Sequence, residues 1–233
     1  MTILETFWGG FSSFFSVWQV CILQISPFFM AFVVGLYLMN AAVNPEVSIR
    51  RDVLIPCGGY VAGFSLFYSL LIASGLEVGR ALVMNIGNLR LVSGVVILLV
   101  SLFLILADRV PRLKDTIRPS VSSALSLAIG VAFAAIYSPC ITPTMSVIMG
   151  LATRPGTAFN GWALALSYGL GMSLSFVVTG IALILLLRKR EAATNNTRLL
   201  KDICGAILLA PALLSISGLM VYYKAFFLGL LLV

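Results

Sequence analysis

The sequence predicts an all-α integral membrane fold, six transmembrane helices arranged as two inverted three-helix repeats, in a single domain over residues 1–233. Three observations carry that expectation. Of 233 residues, 61% are hydrophobic and only 10% charged, with a mean hydropathy of +1.10, which excludes an ordinary soluble domain. Of the 15 Lys and Arg residues, 11 fall in three alternate loops. Short motifs in the first half recur in the second at offsets of 108 to 112 residues.

Crossing hydrocarbon takes roughly 20 apolar residues, and windows of that kind lie at about 14–39, 54–75, 89–107, 121–150, 161–187 and 203–231. Span one follows an N-terminus with Glu5 and Trp8 but no Lys or Arg. It lacks the basic region of a cleavable signal and is expected to stay in place. Spans two and five carry Gly58, Gly59, Gly63, Gly169, Gly171 and Gly180, small residues that let helix backbones approach closely. Residues 76–90, between spans two and three, read as a helix lying on the membrane surface. Residues 108–118, with Pro111 and mixed charge, read as a solvated loop.

Charge placement sets the orientation. The loops after spans one, three and five hold Arg50 and Arg51; Arg109, Arg112, Lys114 and Arg118; and Arg188, Lys189, Arg190, Arg198 and Lys201. The other side has Arg80, Arg90, Arg154 and Lys224. By the positive-inside rule the three basic loops face the cytoplasm and both termini lie outside. Trp8, Trp18, Trp162, Tyr222 and Tyr223 all fall at outer ends of the spans, as an aromatic belt requires. The net charge of +7 is thereby accounted for, and nucleic acid is rejected as a partner.

The repeats divide the chain at about 14–107 and about 121–231, boundaries read with the usual uncertainty of a few residues. Ser26-Pro27-Phe28 corresponds to Ser138-Pro139-Cys140; Tyr60-x-x-Gly63-x-Ser65-Leu66 to Tyr168-x-x-Gly171-x-Ser173-Leu174; Gly94 to Gly205. Each unit holds three spans, an odd number, so the second copy crosses in the opposite sense. In inverted repeats, broken helices from both halves build a site near the midplane, which points at Pro27 and Pro139.

The chemistry is expected in span four, at Tyr137-Ser138-Pro139-Cys140-Ile141-Thr142-Pro143-Thr144. Proline has no N–H and its ring clashes with the carbonyl four residues back, so Pro139 frees the carbonyl of Ala135 and Pro143 that of Pro139. Unpaired backbone at membrane depth is tolerated only inside protein or along a water-filled cavity, which turns Cys140 toward an interior site. The half-helix beginning here aims its N-terminal amides at the Cys140 sulfur and favours the thiolate. Against this stands the plainer reading, in which prolines kink a structural helix and a membrane cysteine is a small packing residue. The chain contains no His, which excludes histidine-ligated haem, histidine-ligated zinc and Ser-His catalysis. The cysteines at 21, 57, 140 and 204 show no C-x-x-C spacing, so no metal site and no cofactor is expected.

These residues resemble the transmembrane domain of the CcdA and DsbD thiol:disulfide interchange proteins, carriers that also serve cytochrome c biogenesis. The second half carries the closest match, in residues 134–149 with Ser138-Pro139-Cys140-Ile141-Thr142-Pro143 and in 161–176 with Tyr168-x-Leu170-Gly171. The first half matches in Ser26-Pro27, Gly35-Leu36-Tyr37, Gly63-Phe64-Ser65-Leu66-Phe67 and Ser93-Gly94. The resemblance implies a proline-flanked cysteine in each half, the two forming a disulfide that passes electrons from cytoplasmic thioredoxin to acceptors outside. It further implies a bacterial inner (plasma) membrane and, as outer partner, a thioredoxin-fold protein or a c-type cytochrome maturation protein.

The first half departs from that pattern. Phe28 stands at the cysteine position and Ala31 at the second proline position, leaving Cys140 alone of the expected pair. Exchange within one carrier needs a second sulfur. Cys21 is the best substitute, two helical turns (about 10 Å) before Phe28 on roughly the same face, while Cys57 and Cys204 near the cytoplasmic ends of spans two and six could bridge each other or relay from a donor. Packing is the ordinary role of all three. Three functions follow: a thiol oxidoreductase using Cys140 with Cys21 or a partner's thiol; a non-redox subunit or assembly factor of a larger membrane complex, with Phe28, Phe29 and Phe32 filling the first-half site; and transport of a small solute or soft metal. Transport is weakened by the absence of charge in the cores of spans one and four.

Overall fold

The computed structural model describes residues 2–15, 20–43, 50–107, 109–110, 119–136, 143–154, 156–189 and 197–231. All regular elements among them are helical. They are α1 (Ile3–Phe15), α2 (Val20–Val43), a π-helical turn (Arg50–Leu54), α3 (Ile55–Ile72), α4 (Glu77–Met84), α5 (Ile86–Leu106), α6 (Pro119–Ile136), α7 (Pro143–Ala152), α8 (Ala158–Lys189), α9 (Thr197–Ile216) and α10 (Met220–Leu231). Four stretches are long and apolar enough to cross a membrane: Asp52–Ile72, Ile86–Leu106, Ala158–Leu187 and Thr197–Ile216. They match expected spans two, three, five and six. Spans one and four are represented among the described residues by shorter apolar helices, Ser26–Ala41 and Val121–Ile136.

Local sequence explains the ends. Thr2 and Glu5 form a reciprocal capping box on α1: the Thr2 N–H donates to Glu5 Oε2 at 2.8 Å and the Glu5 N–H to Thr2 Oγ1 at 3.3 Å. The hydrogen bond from Thr2 holds the Glu5 carboxyl below its ordinary range. Pro56 sits in the first turn of α3, where a missing N–H costs nothing. Of the stretch 76–90, expected as one surface helix, Glu77–Met84 form α4, whose Val78, Val83 and Met84 are exposed, and Ile86 onward belongs to α5.

Span six ends earlier than the sequence led one to expect. The run 203–231 reads as continuous, yet α9 stops at Ile216, and Gly218, at φ +73°, turns the chain into α10. Only glycine enters that left-handed region without cost, so a residue inside an apolar run terminates the helix. The start also differs: α9 begins at Thr197, which draws Lys201 out of the expected loop. Lys201 is 1% exposed and donates from Nζ to the carbonyl of Ile105 at 3.4 Å. The last carbonyls of α5 have no partner within their own helix, and the negative end of the helix dipole attracts an ammonium there.

Helices meet at small residues and serines. Parallel helices α3 and α6 pack through Gly59 against the Ser123 carbonyl and Gly63 against the Leu127 carbonyl, with Gly130 answering from α6 against Tyr60. Parallel helices α1 and α8 pack through Gly10 against the Tyr168 carbonyl and Gly171 against the Phe7 carbonyl. Ser167 and Ser175 on α8 donate to the Ile3 and Phe11 carbonyls at 2.7 and 2.9 Å. Antiparallel α5 and α9 are tied at both ends, by Ser215 Oγ to the Arg90 carbonyl at 2.7 Å and by Ser101 Oγ to the Gly205 carbonyl at 2.6 Å. Between α3 and α8, Ser65 Oγ and Ser173 Oγ share a buried hydrogen bond of 3.0 Å.

The core is aromatic. Phe29 of α2 is fully buried, 4.4 Å between ring centroids from Tyr60 and 5.2 Å from Phe176. Tyr60, Phe64 and Tyr68, each four residues apart, stack along one face of α3 at 5.8 and 5.4 Å.

Candidate functional site

The described part of span four consists of two helices, α6 ending at Ile136 and α7 beginning at Pro143. Residues 137–142, which include Pro139 and Cys140, lie outside the described residues, as do the side chains of Pro143 and Cys21. What is placed is the seat of α7. Near its start, Tyr68 Oη donates to Met145 Sδ at 3.9 Å, and both side chains are buried. Thr144 packs beside Gly9 of α1, its methyl 3.2 Å from where a Cβ on that glycine would stand. At the far end the Gly75 N–H donates to the Ala152 carbonyl at 2.9 Å, and Gly161 leaves room for Ala152. A ten-residue helix forms too few internal bonds to hold itself in place, so these contacts from α1, α3 and α8 position it.

The counterpart in the first half is built differently. Pro27 was expected to break its helix, but it lies inside α2, which continues to Val43. One proline removes one helical hydrogen bond and kinks the helix, whereas span four carries two within five residues. At the expected second proline position stands Ala31, 5% exposed, an excellent helix former. Phe28, at the expected cysteine position, is 8% exposed and packs on Tyr223 of α10 with ring centroids 6.2 Å apart. Phe29 and Phe32 are buried beside it. Pro27 itself is exposed.

The remaining thiols are not joined. Cys57 and Cys204 are both buried and both free, so the bridge between them entertained from sequence is not formed. Cys204 sits against Gly35 of α2, its Cβ 3.3 Å from where a glycine Cβ would stand, a packing position of the kind small apolar thiols fill. Among the described residues no group of three or more His, Cys, Asp or Glu gathers as a metal site would require.

Sequence reasoning missed four contributors. Tyr68 and Met145 lie far apart in the chain, although the four-residue spacing of Tyr60, Phe64 and Tyr68 marks one helix face. Asn40, buried near the end of α2, donates from Nδ2 to the Asp52 carbonyl at 3.0 Å and fastens the π-helical turn ahead of α3. Lys201 was counted among the loop cations, and nothing in its local sequence signals burial.

The chain is 24% identical over 226 residues to the cytochrome c-type biogenesis protein CcdA of Halalkalibacterium halodurans, an alignment that covers 94% of this chain and 92% of that protein. No family model matches the chain. No solved structure matches it. The apolar helices make this an integral membrane protein, and the end-to-end likeness supports the CcdA family for it.

Proposed function

We propose that this chain is a CcdA-like membrane protein that passes reducing equivalents from the cytoplasm to the outer face for maturation of cytochrome c or other redox proteins. The observation that carries this reading is the Ser138-Pro139-Cys140-Ile141-Thr142-Pro143 run in a chain alike end to end to a protein of cytochrome c biogenesis. The Cys140 thiolate attacks a disulfide of the outer partner, forming a mixed disulfide and releasing one partner thiolate. A second thiol, from Cys21 or from another protein, attacks the Cys140 sulfur and releases the other partner thiolate. The disulfide left on the carrier is reduced by the dithiol of a cytoplasmic thioredoxin, which becomes a disulfide in turn. Two electrons cross per cycle, the released thiolates taking up protons outside and the thioredoxin dithiol giving up its protons inside.

The inverted repeat is part of this proposal. It is supported by Ser65 and Ser173, equivalent residues 108 apart that bond to each other, as residues beside a two-fold axis do. Gly94 packs on Ala212 and Ile216, and its equivalent Gly205 packs on Ser101 and Ile105, equivalent pairs reached by the same offset of 111 residues. Equivalent helices α5 and α9 run antiparallel, as inversion demands. Both termini outside an inner membrane completes the reading. Membrane-impermeant labelling of single-cysteine variants at Thr2 and at the C-terminus tests it, since labelling of either from the cytoplasmic side alone overturns it.

Replacing Cys140 by Ser should abolish maturation of the outer redox protein. A variant acceptor lacking its resolving cysteine should accumulate as a mixed disulfide with Cys140. A fully active Cys140→Ser, with no adduct trapped, removes the redox reading. A second reading, a non-redox assembly subunit, is favoured by one observation: Phe28, Phe29 and Phe32 fill the first-half position with packed apolar volume. It expects tolerance of Cys140→Ser and co-purification with a stable membrane complex, and an isolated monomer would exclude it.

A further inference from the structure

We propose that α1 is the wall that seats α7, with Gly9 setting the distance between them, and that it positions Cys140 through that seat. The consequence for Cys140 rests on its reading as the reactive thiol; the seat itself is made of described residues alone. The wall is fixed to α8 along its length. Ser167 and Ser175 donate to the Ile3 and Phe11 carbonyls at 2.7 and 2.9 Å, Gly10 and Gly171 bring the two backbones together at Tyr168 and Phe7, and the Phe14 ring meets Phe176 at 4.9 Å. The same contacts recur between α6 and α3. Gly130 approaches the Tyr60 carbonyl as Gly10 approaches that of Tyr168, Gly63 the Leu127 carbonyl as Gly171 that of Phe7, and Gly59 the Ser123 carbonyl as Ser167 that of Ile3. In all three pairs the α3 and α8 members are 108 residues apart and the α1 and α6 members 120. These offsets make α1 the counterpart of the closing part of α6, a framework helix held by a long span.

The second repeat's short helix meets this wall next to Gly10. The Thr144 Cβ lies 3.8 Å, and its methyl 3.2 Å, from where a Gly9 Cβ would stand, so any larger side chain at position 9 pushes on Thr144. From the other side the Tyr68 hydroxyl holds Met145, the next residue of α7. The first turn of α7 is therefore set from two directions, by a fixed backbone on α1 and by a side chain of α3. Cys140 precedes Pro143, where α7 begins, by three residues, and three residues of chain reach at most about 10 Å. A shift of that first turn moves the anchor from which the thiol is held. Misplacement of a reacting group by about 1 Å can cost a hundredfold in rate, so Gly9 acts on Cys140 without touching it.

The test uses the full chain in lipid vesicles and has two arms. The first reads the seat without any chemistry at position 140. In a Cys140→Ser background, Gly9→Cys combined with Thr144→Cys should close to a disulfide under copper phenanthroline, since the Cβ separation of 3.8 Å is the mean for such bonds, and mass spectrometry should find the two peptides joined. Trp8→Cys with Thr144→Cys should stay open, because Trp8 faces away, 56% exposed. No disulfide at 9 and 144, or an equal yield from 8 and 144, would overturn the seat. The second arm follows the rate at which Cys140 forms a mixed disulfide with dipyridyl disulfide. Gly9→Ala should slow it severalfold where Thr144 is present and not at all in Thr144→Ser, which lacks the methyl that Ala would meet, while Gly87→Ala, in open space, should leave it unchanged. Equal effects of Gly9→Ala in both chains, or none in either, would overturn the positioning of Cys140. A wild-type Cys140 inert to the reagent would overturn the redox reading and the positioning with it, and the first arm would still decide the seat.

Discussion

At single positions the largest effects come from volume. Phe29 is sealed between Tyr60 and Phe176, and Phe29→Ala should cost about 3–5 kcal/mol through lost transfer energy and an unfilled cavity. Thermal unfolding in detergent measures it. Gly171 faces the Phe7 carbonyl with no room for a methyl, so Gly171→Ala should pry α1 from α8 at a cost of about 1–3 kcal/mol. Gly87→Ala, with nothing nearby, should be neutral or gain about 0.5–1 kcal/mol. The Ser65–Ser173 hydrogen bond is worth less. A double-mutant cycle to alanine should give a coupling of about 0.6 kcal/mol, the average for side-chain bonds between membrane helices.

Between elements, charges act through helix ends. Lys201 meets the C-terminal carbonyl end of α5, and Lys201→Glu would bury a carboxylate against the negative end of a dipole. Loss of folded protein is the expected outcome, read by size-exclusion chromatography. Next to it, Arg109 and Asp202 pair at 2.9 Å on an exposed rim, and Arg109→Ala should cost under about 1 kcal/mol. The α1 capping box is pH-dependent. Because the folded Glu5 carboxyl titrates below its ordinary value, its contribution is present above that value and is lost as pH falls through the folded one. Hydrogen exchange in the first turn of α1 should therefore lose protection on acidification in the wild type and not in Glu5→Gln.

Across the whole molecule, α5 and α9 form a spine fastened near both ends, and α3 and α8 cross at the paired serines. Thiol accounting follows from this packing. Cys57 and Cys204 are sealed among helices and should resist alkylation in the native protein, then label on unfolding. Any thiol that labels natively is then Cys21 or Cys140. A shift of Cys140 labelling with added thioredoxin supports the carrier, and inert thiols at all four positions would leave only assembly or transport.

The sequence by itself determined the class of the molecule and the locations of four membrane-spanning helices, because apolar length is a one-dimensional property read in a window. It also supplied the pairs Ser65 with Ser173 and Gly94 with Gly205, since internal recurrence needs no coordinates to be seen. Only the tertiary structure decided that Pro27 stays within a helix, that Lys201 is buried, that Cys57 and Cys204 remain apart, and that Tyr68 reaches Met145. The last three depend on what a neighbouring helix offers: an orphan carbonyl, a distance, a thioether. Partners brought together across 77 and 96 residues leave no local trace in either segment. Gly218 lies between the two cases, for a glycine in an apolar run is visible in sequence, but its left-handed turn is settled only by where α10 comes to rest.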